Sequence, residues 1–106
     1  MSKETIKMNS IRIMRIGIKA VLHTNEMSAE MNRQIIRSNW DKEGDTAARK
    51  ALYKAHKALS RDRAIIRNCQ EQLKATKLEL RKLNRQHDIR TNAIASSMAE
   101  RTTLLE

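Results

Sequence analysis

The sequence predicts an all-α protein, a helical hairpin with one long, amphipathic, coiled-coil-like second helix. Residues 46–105 contain neither glycine nor proline, so nothing in that segment breaks a helix. Apolar side chains recur there every seven positions. The chain of 106 residues has no Phe, one Trp and one Tyr, so its core must come from Leu, Ile, Met and Ala, as in helix–helix packing. We expect a single helical domain over residues 1–106.

The first helix is predicted over residues 10–38. Its apolar face at helical spacing consists of Ile11, Met14, Ile18, Val21, Leu22, Met27, Met31 and Ile35. Isoleucines alternate between residues 11 and 18, which also fits a short strand, but a lone strand would have no hydrogen-bonding partner. We expect Ser10 or Asn9 to cap the helix, and a kink or restart near residues 23–25, where Thr24 is a suitable cap.

The turn is predicted over residues 39–45, where the apolar pattern stops. This segment contains Gly44, one of only two glycines. Asp45 is well placed to cap the helix that follows, because its carboxylate suits the exposed N–H groups and the dipole of a helix N-terminus. We expect Trp40 to cover the open end of the hairpin.

The second helix is predicted over about residues 46–104. With Leu52 as core position a of a heptad, the a residues are Leu52, Leu59, Ile66, Leu73, Leu80, His87 and Ile94. The d residues are smaller or more polar: Ala55, Asp62, Cys69, Thr76, Leu83, Arg90 and Ser97. Ala51, Ala58 and Ile65 widen the stripe on its other side. This pattern favours a three- or four-helix seam over a two-stranded zipper.

The two predicted helices differ in length. A first helix of residues 10–38 would cover the second only to about residue 74. Several apolar residues would then lack an intrachain partner, namely Leu80, Leu83, Ile94, Met98, Leu104 and Leu105. We therefore expect a homo-oligomer, with self-association through Leu73, Leu80, Leu83 and Ile94. The alternative is a three-helix bundle, in which the chain breaks between Asn84 and Asn92 and folds back.

No pattern of catalytic or metal-binding side chains is found in the sequence. The histidines, His23, His56 and His87, are widely separated and lack metal-ligand spacing. The acidic residues of the turn are too few for a calcium loop, and no glycine-rich phosphate loop is present. Cys69 is the only cysteine, and we expect it to be a reduced core residue. We expect no enzymatic activity, no cofactor, no metal and no small-molecule substrate.

Positive charge is concentrated in parts of the chain. The formal net charge is +10, and residues 46–67 contribute seven basic side chains against one acidic. At helical spacing these residues form two rows on the second helix. The first row consists of Lys50, Lys54, Lys57 and Arg61, and the second of Arg63, Arg67, Lys74, Lys77, Arg81 and Arg85.

Such rows repel themselves unless a negative partner lies against them, although a basic face can also be simply solvated. We predict that both rows bind nucleic-acid backbone, or a nucleoprotein complex, with strong salt dependence and no base-specific readout. The alternative is a protein-interaction factor, an inhibitor or adaptor that docks on an acidic or nucleic-acid-binding surface of a larger complex.

A membrane partner is a weaker interpretation. Residues 11–22 are basic and amphipathic, as in interfacial helices, but packing against the second helix explains their apolar face equally well. No stretch is apolar and long enough for a signal peptide or a membrane span. A single cysteine is typical of a reducing compartment. We therefore expect a cytoplasmic protein.

Overall fold

The chain folds as the predicted all-α helical hairpin. A computed structural model describes residues 2–42 and 44–105, with side chains of the second helix described as far as Arg101. Helix α1 is Lys3–Asn39 and helix α2 is Thr46–Leu105. Helix α2 continues without a break through residues 84–92. The long coiled-coil-like second helix is therefore confirmed, and the third helix of the alternative does not form.

Helix α1 begins seven residues earlier than predicted. Ser2 supplies its cap: the Ser2 Oγ accepts a hydrogen bond from the Thr5 backbone N–H at 3.2 Å. The expected caps, Ser10 and Asn9, lie inside the helix instead. The apolar pattern did not predict this earlier start, because most residues of the first turns are polar.

The expected kink near residues 23–25 is also absent, since α1 is continuous there. The Thr24 hydroxyl donates to the Ala20 carbonyl at 3.0 Å, and the Asn25 amide donates to the Val21 carbonyl at 2.8 Å. Each side chain thus finds an acceptor one turn back along its own helix, so neither residue needs to interrupt it.

The turn agrees with the sequence at its cap and differs at its tryptophan. The Asp45 Oδ1 accepts hydrogen bonds from the backbone N–H groups of Ala47 at 2.9 Å and Ala48 at 3.4 Å, as expected of a cap. Trp40, however, is 67% exposed and does not cover the hairpin. It lies seven residues after Arg33, which is also exposed, so it continues a solvent-facing side of α1.

The core is a seam between the two helices. On α2, every seventh residue is buried: Ala48, Ala55, Asp62, Cys69, Thr76 and Leu83. On α1, the buried and half-buried residues alternate at spacings of three and four: Met8, Ile11, Arg15, Ile18, Leu22, Asn25, Ala29, Asn32 and Ile36. The small and polar d residues therefore form the centre of the seam between α1 and α2. The expected three- or four-helix seam stays a prediction, because it depends on helices from a second copy of the chain.

This seam also corrects the predicted apolar face of α1. Ile11 and Ile18 are buried and Leu22 is half-buried, but five other members of that face are exposed: Met14, Val21, Met27, Met31 and Ile35. The seam takes Arg15, Asn25 and Asn32 in their place. Arg15 and Asn32 can occupy it because α2 presents Thr76 and Asp62 as hydrogen-bonding partners, whereas the Asn25 amide donates to the Val21 carbonyl of its own helix.

One of the two compact units of the hairpin comprises residues 16–73. In this unit Asp62 is buried, with 6% of the residue exposed. The same carboxylate oxygen, Oδ2, accepts hydrogen bonds from the Ser28 Oγ at 2.8 Å and from the Asn32 Nδ2 at 3.2 Å. A buried carboxylate is costly unless it is hydrogen-bonded, so these two donors make its position in the seam possible. Cys69 is a free, buried cysteine in the same unit, as predicted.

The other unit comprises Met1–Arg15 and Lys74–Glu106. Met8, Ile11 and Leu83 form its apolar cluster, and Leu80 packs against them. Leu83 is only 7% exposed. The expectation that Leu80 and Leu83 lack an intrachain partner is therefore wrong, because α1 begins early enough to cover them.

Polar contacts extend this unit in both directions. The Arg15 Nη1 donates to the Thr76 Oγ1 at 2.7 Å, and Arg90 forms an ion pair with Glu4 at 2.8 Å. Beyond Arg90 the described side chains of α2 are exposed, Ile94 and Met98 among them. The side chains of Leu104 and Leu105 lie outside the described residues. Self-association through Ile94, and through the half-buried Leu73, stays a prediction.

Leu83→Ala should destabilise the protein by about 2 kcal/mol or more, because it removes buried methyl groups and leaves a cavity against Met8 and Ile11. Leu78→Ala is the matched control. Leu78 is 56% exposed on the same helix, so its loss should change stability by less than about 0.5 kcal/mol. Urea unfolding followed by circular dichroism measures both. Equal losses would contradict the assignment of Leu83 to the core.

Asn32→Leu should destabilise the protein by about 1–3 kcal/mol, because it removes a donor from the buried Asp62 carboxylate. Adding Asp62→Leu should recover most of that loss, since an apolar pair of similar shape leaves no carboxylate to satisfy. A double-mutant cycle from urea unfolding measures the coupling. Strictly additive losses would show that the Asn32–Asp62 hydrogen bond does not hold the seam.

Candidate polyanion-binding surface

The basic residues of α2 in the unit of residues 16–73 lie on its outer surface. Those predicted to bind a polyanion there are all exposed: Lys50, Lys54, Lys57, Arg61, Arg63 and Arg67. They fall at heptad positions away from the seam, so the same periodicity that buries Ala55 and Asp62 turns them to solvent. Among the described residues, none of the six forms an ion pair.

The one acidic residue between positions 46 and 67 is Asp62. Its carboxylate is buried and hydrogen-bonded to α1. The exposed surface of this part of α2 therefore carries basic side chains with no acidic side chain among them. A polyanion approaching from solvent meets a more positive surface than a count of charges in the sequence suggests.

The cations of α1 in the same unit are arranged differently. Arg33 and Arg37 both donate to the Glu30 carboxylate, at 3.0 and 2.9 Å. These hydrogen bonds lower the pKa of Glu30 below its ordinary value. The positive charge of this part of α1 is thus partly neutralised within the helix, whereas the six exposed cations of α2 named above form no ion pair among the described residues.

The unit that contains the start of α1 and the end of α2 carries the remaining predicted residues. These are Lys74, Lys77, Arg81 and Arg85, and all four are exposed. An open groove of about 790 Å³ lies here, and Arg81 and Arg85 line it together with Lys82 and Lys7 of α1. Glu79 is the one acidic residue along it. The groove is open to solvent, and it places four cations from two helices along one surface, beside the apolar side chains of Ala75, Leu78 and Leu83.

The sequence did not point to Lys7 or Lys82. Lys7 lies near Arg81 and Arg85 because the two helices are antiparallel. The predicted start of α1 at residue 10 left Lys7 outside the helix, so this proximity was not predicted. Lys82 lies outside the two predicted rows but directly after Arg81. The signal that could have found both is the heptad of α1 itself, because Met8 and Ile11 fix which part of α2 lies opposite.

Other chemistry is sparse on these surfaces. Tyr53 is exposed and lies three residues after Lys50 and four before Lys57 on α2, while Trp40 is exposed in the turn. No group of three or more metal-ligating side chains occurs in the part of the chain that the structure describes. His87, half-buried on the seam, has its Nδ1 3.9 Å from the Asp88 Oδ1 of the same helix.

Neither described helix has an apolar stretch that could cross a membrane. Comparison of the chain with protein-family models, with curated proteins and with solved structures gives no match.

Proposed function

We propose that this protein binds nucleic-acid backbone, alone or within a nucleoprotein complex, through the exposed basic surface of α2. One observation carries the proposal: the six predicted cations of residues 46–67 are exposed and form no ion pair among the described residues, while Asp62, the one acidic residue of that segment, is buried in the seam. Rows of like charge on a helix destabilise it by their mutual repulsion. A bound polyanion removes that repulsion and gains counterion-release free energy.

The surface favours contacts with phosphates over contacts with bases. Lysine and arginine reach phosphate oxygens regardless of sequence, and such contacts position a protein on a nucleic acid without specifying a site. Base stacking requires a series of aromatic side chains, and the α2 surface offers only Tyr53. The protein is proposed to act without catalysis, in a reducing compartment such as the cytoplasm, where the free Cys69 thiol persists.

Replacing Lys50, Lys54, Lys57 and Arg61 together by Gln should weaken binding to duplex DNA or RNA and flatten its salt dependence. Each phosphate contact contributes about 0.9 to the slope of log affinity against log salt for duplex DNA. The slope should therefore fall by up to about 3.6 per protomer. Fluorescence anisotropy with a labelled duplex, over a series of salt concentrations, measures this change.

A control variant removes the same number of charges from α1, at Arg12, Lys19, Arg33 and Arg37. Its slope should change less, because these residues lie off the α2 surface and two of them are already paired with Glu30. Circular dichroism should show unchanged helicity in the α2 variant, whose four residues are all exposed. If the wild-type protein binds neither duplex at low salt, the proposal fails. A nuclease-resistant, stoichiometric protein partner that the α2 variant loses would then support the interaction-factor alternative.

A further inference from the structure

One face of α1 is exposed, apolar and uncharged. Within residues 16–73 it comprises Gly17, Val21, Thr24, Met27, Met31 and Ile35, which we name the uncharged stripe. These residues recur at spacings of three and four, so they share one side of the helix. The stripe is offset from the seam residues Ile18, Leu22 and Ala29. Helix α1 therefore has two apolar sides, and α2 covers only one of them.

We infer that the uncharged stripe binds the same stripe of a second copy of this chain, with the two α1 helices antiparallel. A helix that is apolar beyond a single face is expected to be buried on more than one side. Met27, Met31 and Ile35 also line a groove together with Thr24, Ser28 and Asn32. Exposed apolar grooves of this kind mark interaction sites.

The low net charge of α1 favours a second copy of this chain as the partner of the uncharged stripe. Residues 16–39 of α1 carry three basic and two acidic side chains, whereas residues 46–73 of α2 carry seven basic and two acidic. Two copies of so basic a chain repel each other least where α1 meets α1. The stripe itself contains no charged residue, so neither a basic nor an acidic partner would find a complementary group in it.

Side-chain size along the stripe selects the antiparallel orientation. The small residue Gly17 lies in its N-terminal half, and the long side chains of Met27, Met31 and Ile35 lie in its C-terminal half. Antiparallel pairing about Thr24 places the small end of one helix against the large end of the other, twice. Two-fold self-complementarity of this kind is the geometry of an isologous dimer.

Gly17 adds an independent observation. It lies inside a continuous helix, where glycine is less favourable than alanine, yet a Cβ at this position would meet nothing within 4 Å. Nothing within the described chain therefore requires glycine here. Close approach of a second helix would require it, as glycine at helix contacts lets two backbones approach.

The size of the stripe sets the expected strength. Antiparallel pairing about Thr24 overlaps residues 17–31 of the two stripes, a contact about 21 Å long and about 10 Å wide, or roughly 200 Å² on each partner. Standard protein interfaces bury about 800 Å² on each partner. We therefore expect a reversible, concentration-dependent dimer, which sedimentation velocity of the full chain over a wide concentration range detects.

Met27→Lys should weaken this dimer about tenfold or more, because it places a charge in the apolar contact. Leu78→Lys is the matched control, since Leu78 and Met27 are both 56% exposed and both lie within a helix. Gly17→Leu should also weaken the dimer while leaving the monomer folded, because the position is open in the single chain. Circular dichroism confirms folding in each case. A wild-type protein that stays monomeric at all concentrations, or equal effects of Met27→Lys and Leu78→Lys, would overturn the inference.

Disulfide cross-linking tests the orientation. In a Cys69→Ala background, Thr24→Cys should form a disulfide-linked dimer, because the antiparallel pairing centres on Thr24. Met31→Cys should not, since the two Met31 positions would lie about 20 Å apart, beyond the reach of a disulfide. Cross-linking of both variants would indicate parallel helices and overturn the antiparallel arrangement.

Discussion

The structure depends on the hydrogen bonds that hold the Asp62 carboxylate between the two helices. A seam of small and apolar residues alone would tolerate a slip of one heptad, because each heptad resembles the next. Such a slip would replace Ser28 by Val21 or Ile35 against Asp62 and remove a donor from a buried carboxylate. In the other unit, the same slip would place Met8 or Leu22 opposite Thr76 instead of Arg15, and the Arg15–Thr76 hydrogen bond would be lost.

This register decides which surfaces the molecule presents. Because Ala55, Asp62 and Cys69 are buried in the seam, the lysines and arginines between them are exposed on α2. Because Ile18, Leu22 and Ala29 meet α2, Met27 and Met31 are held outward on α1. One helix thus shows solvent a basic surface and the other an uncharged apolar one. Both follow from a single choice of pairing, and neither surface takes part in holding the hairpin together.

The sequence predicts some of these features and not others, for physical reasons. The cap at Asp45, the continuity of α2 and the burial of Cys69 depend on local preferences and on periodicity within one helix. The side of α1 that packs against α2 depends instead on contacts between the helices, since Asn32 lies in the seam where Asp62, thirty residues away, accepts its hydrogen bond. Hydropathy alone prefers Met27 and Met31 there. The exposure of the predicted cations follows from the heptad of α2, whereas the position of Lys7 beside Arg81 depends on where α1 begins.

Two side chains that each occur once in the chain, Trp40 and Cys69, differ in how they would report its unfolding. The only indole, that of Trp40, is already largely in water in the native state, so the solvation change that usually reports folding is small. The only thiol, that of Cys69, is enclosed between the helices and becomes reactive only when they separate. The rate at which an alkylating reagent consumes this thiol would therefore measure how often the two helices open.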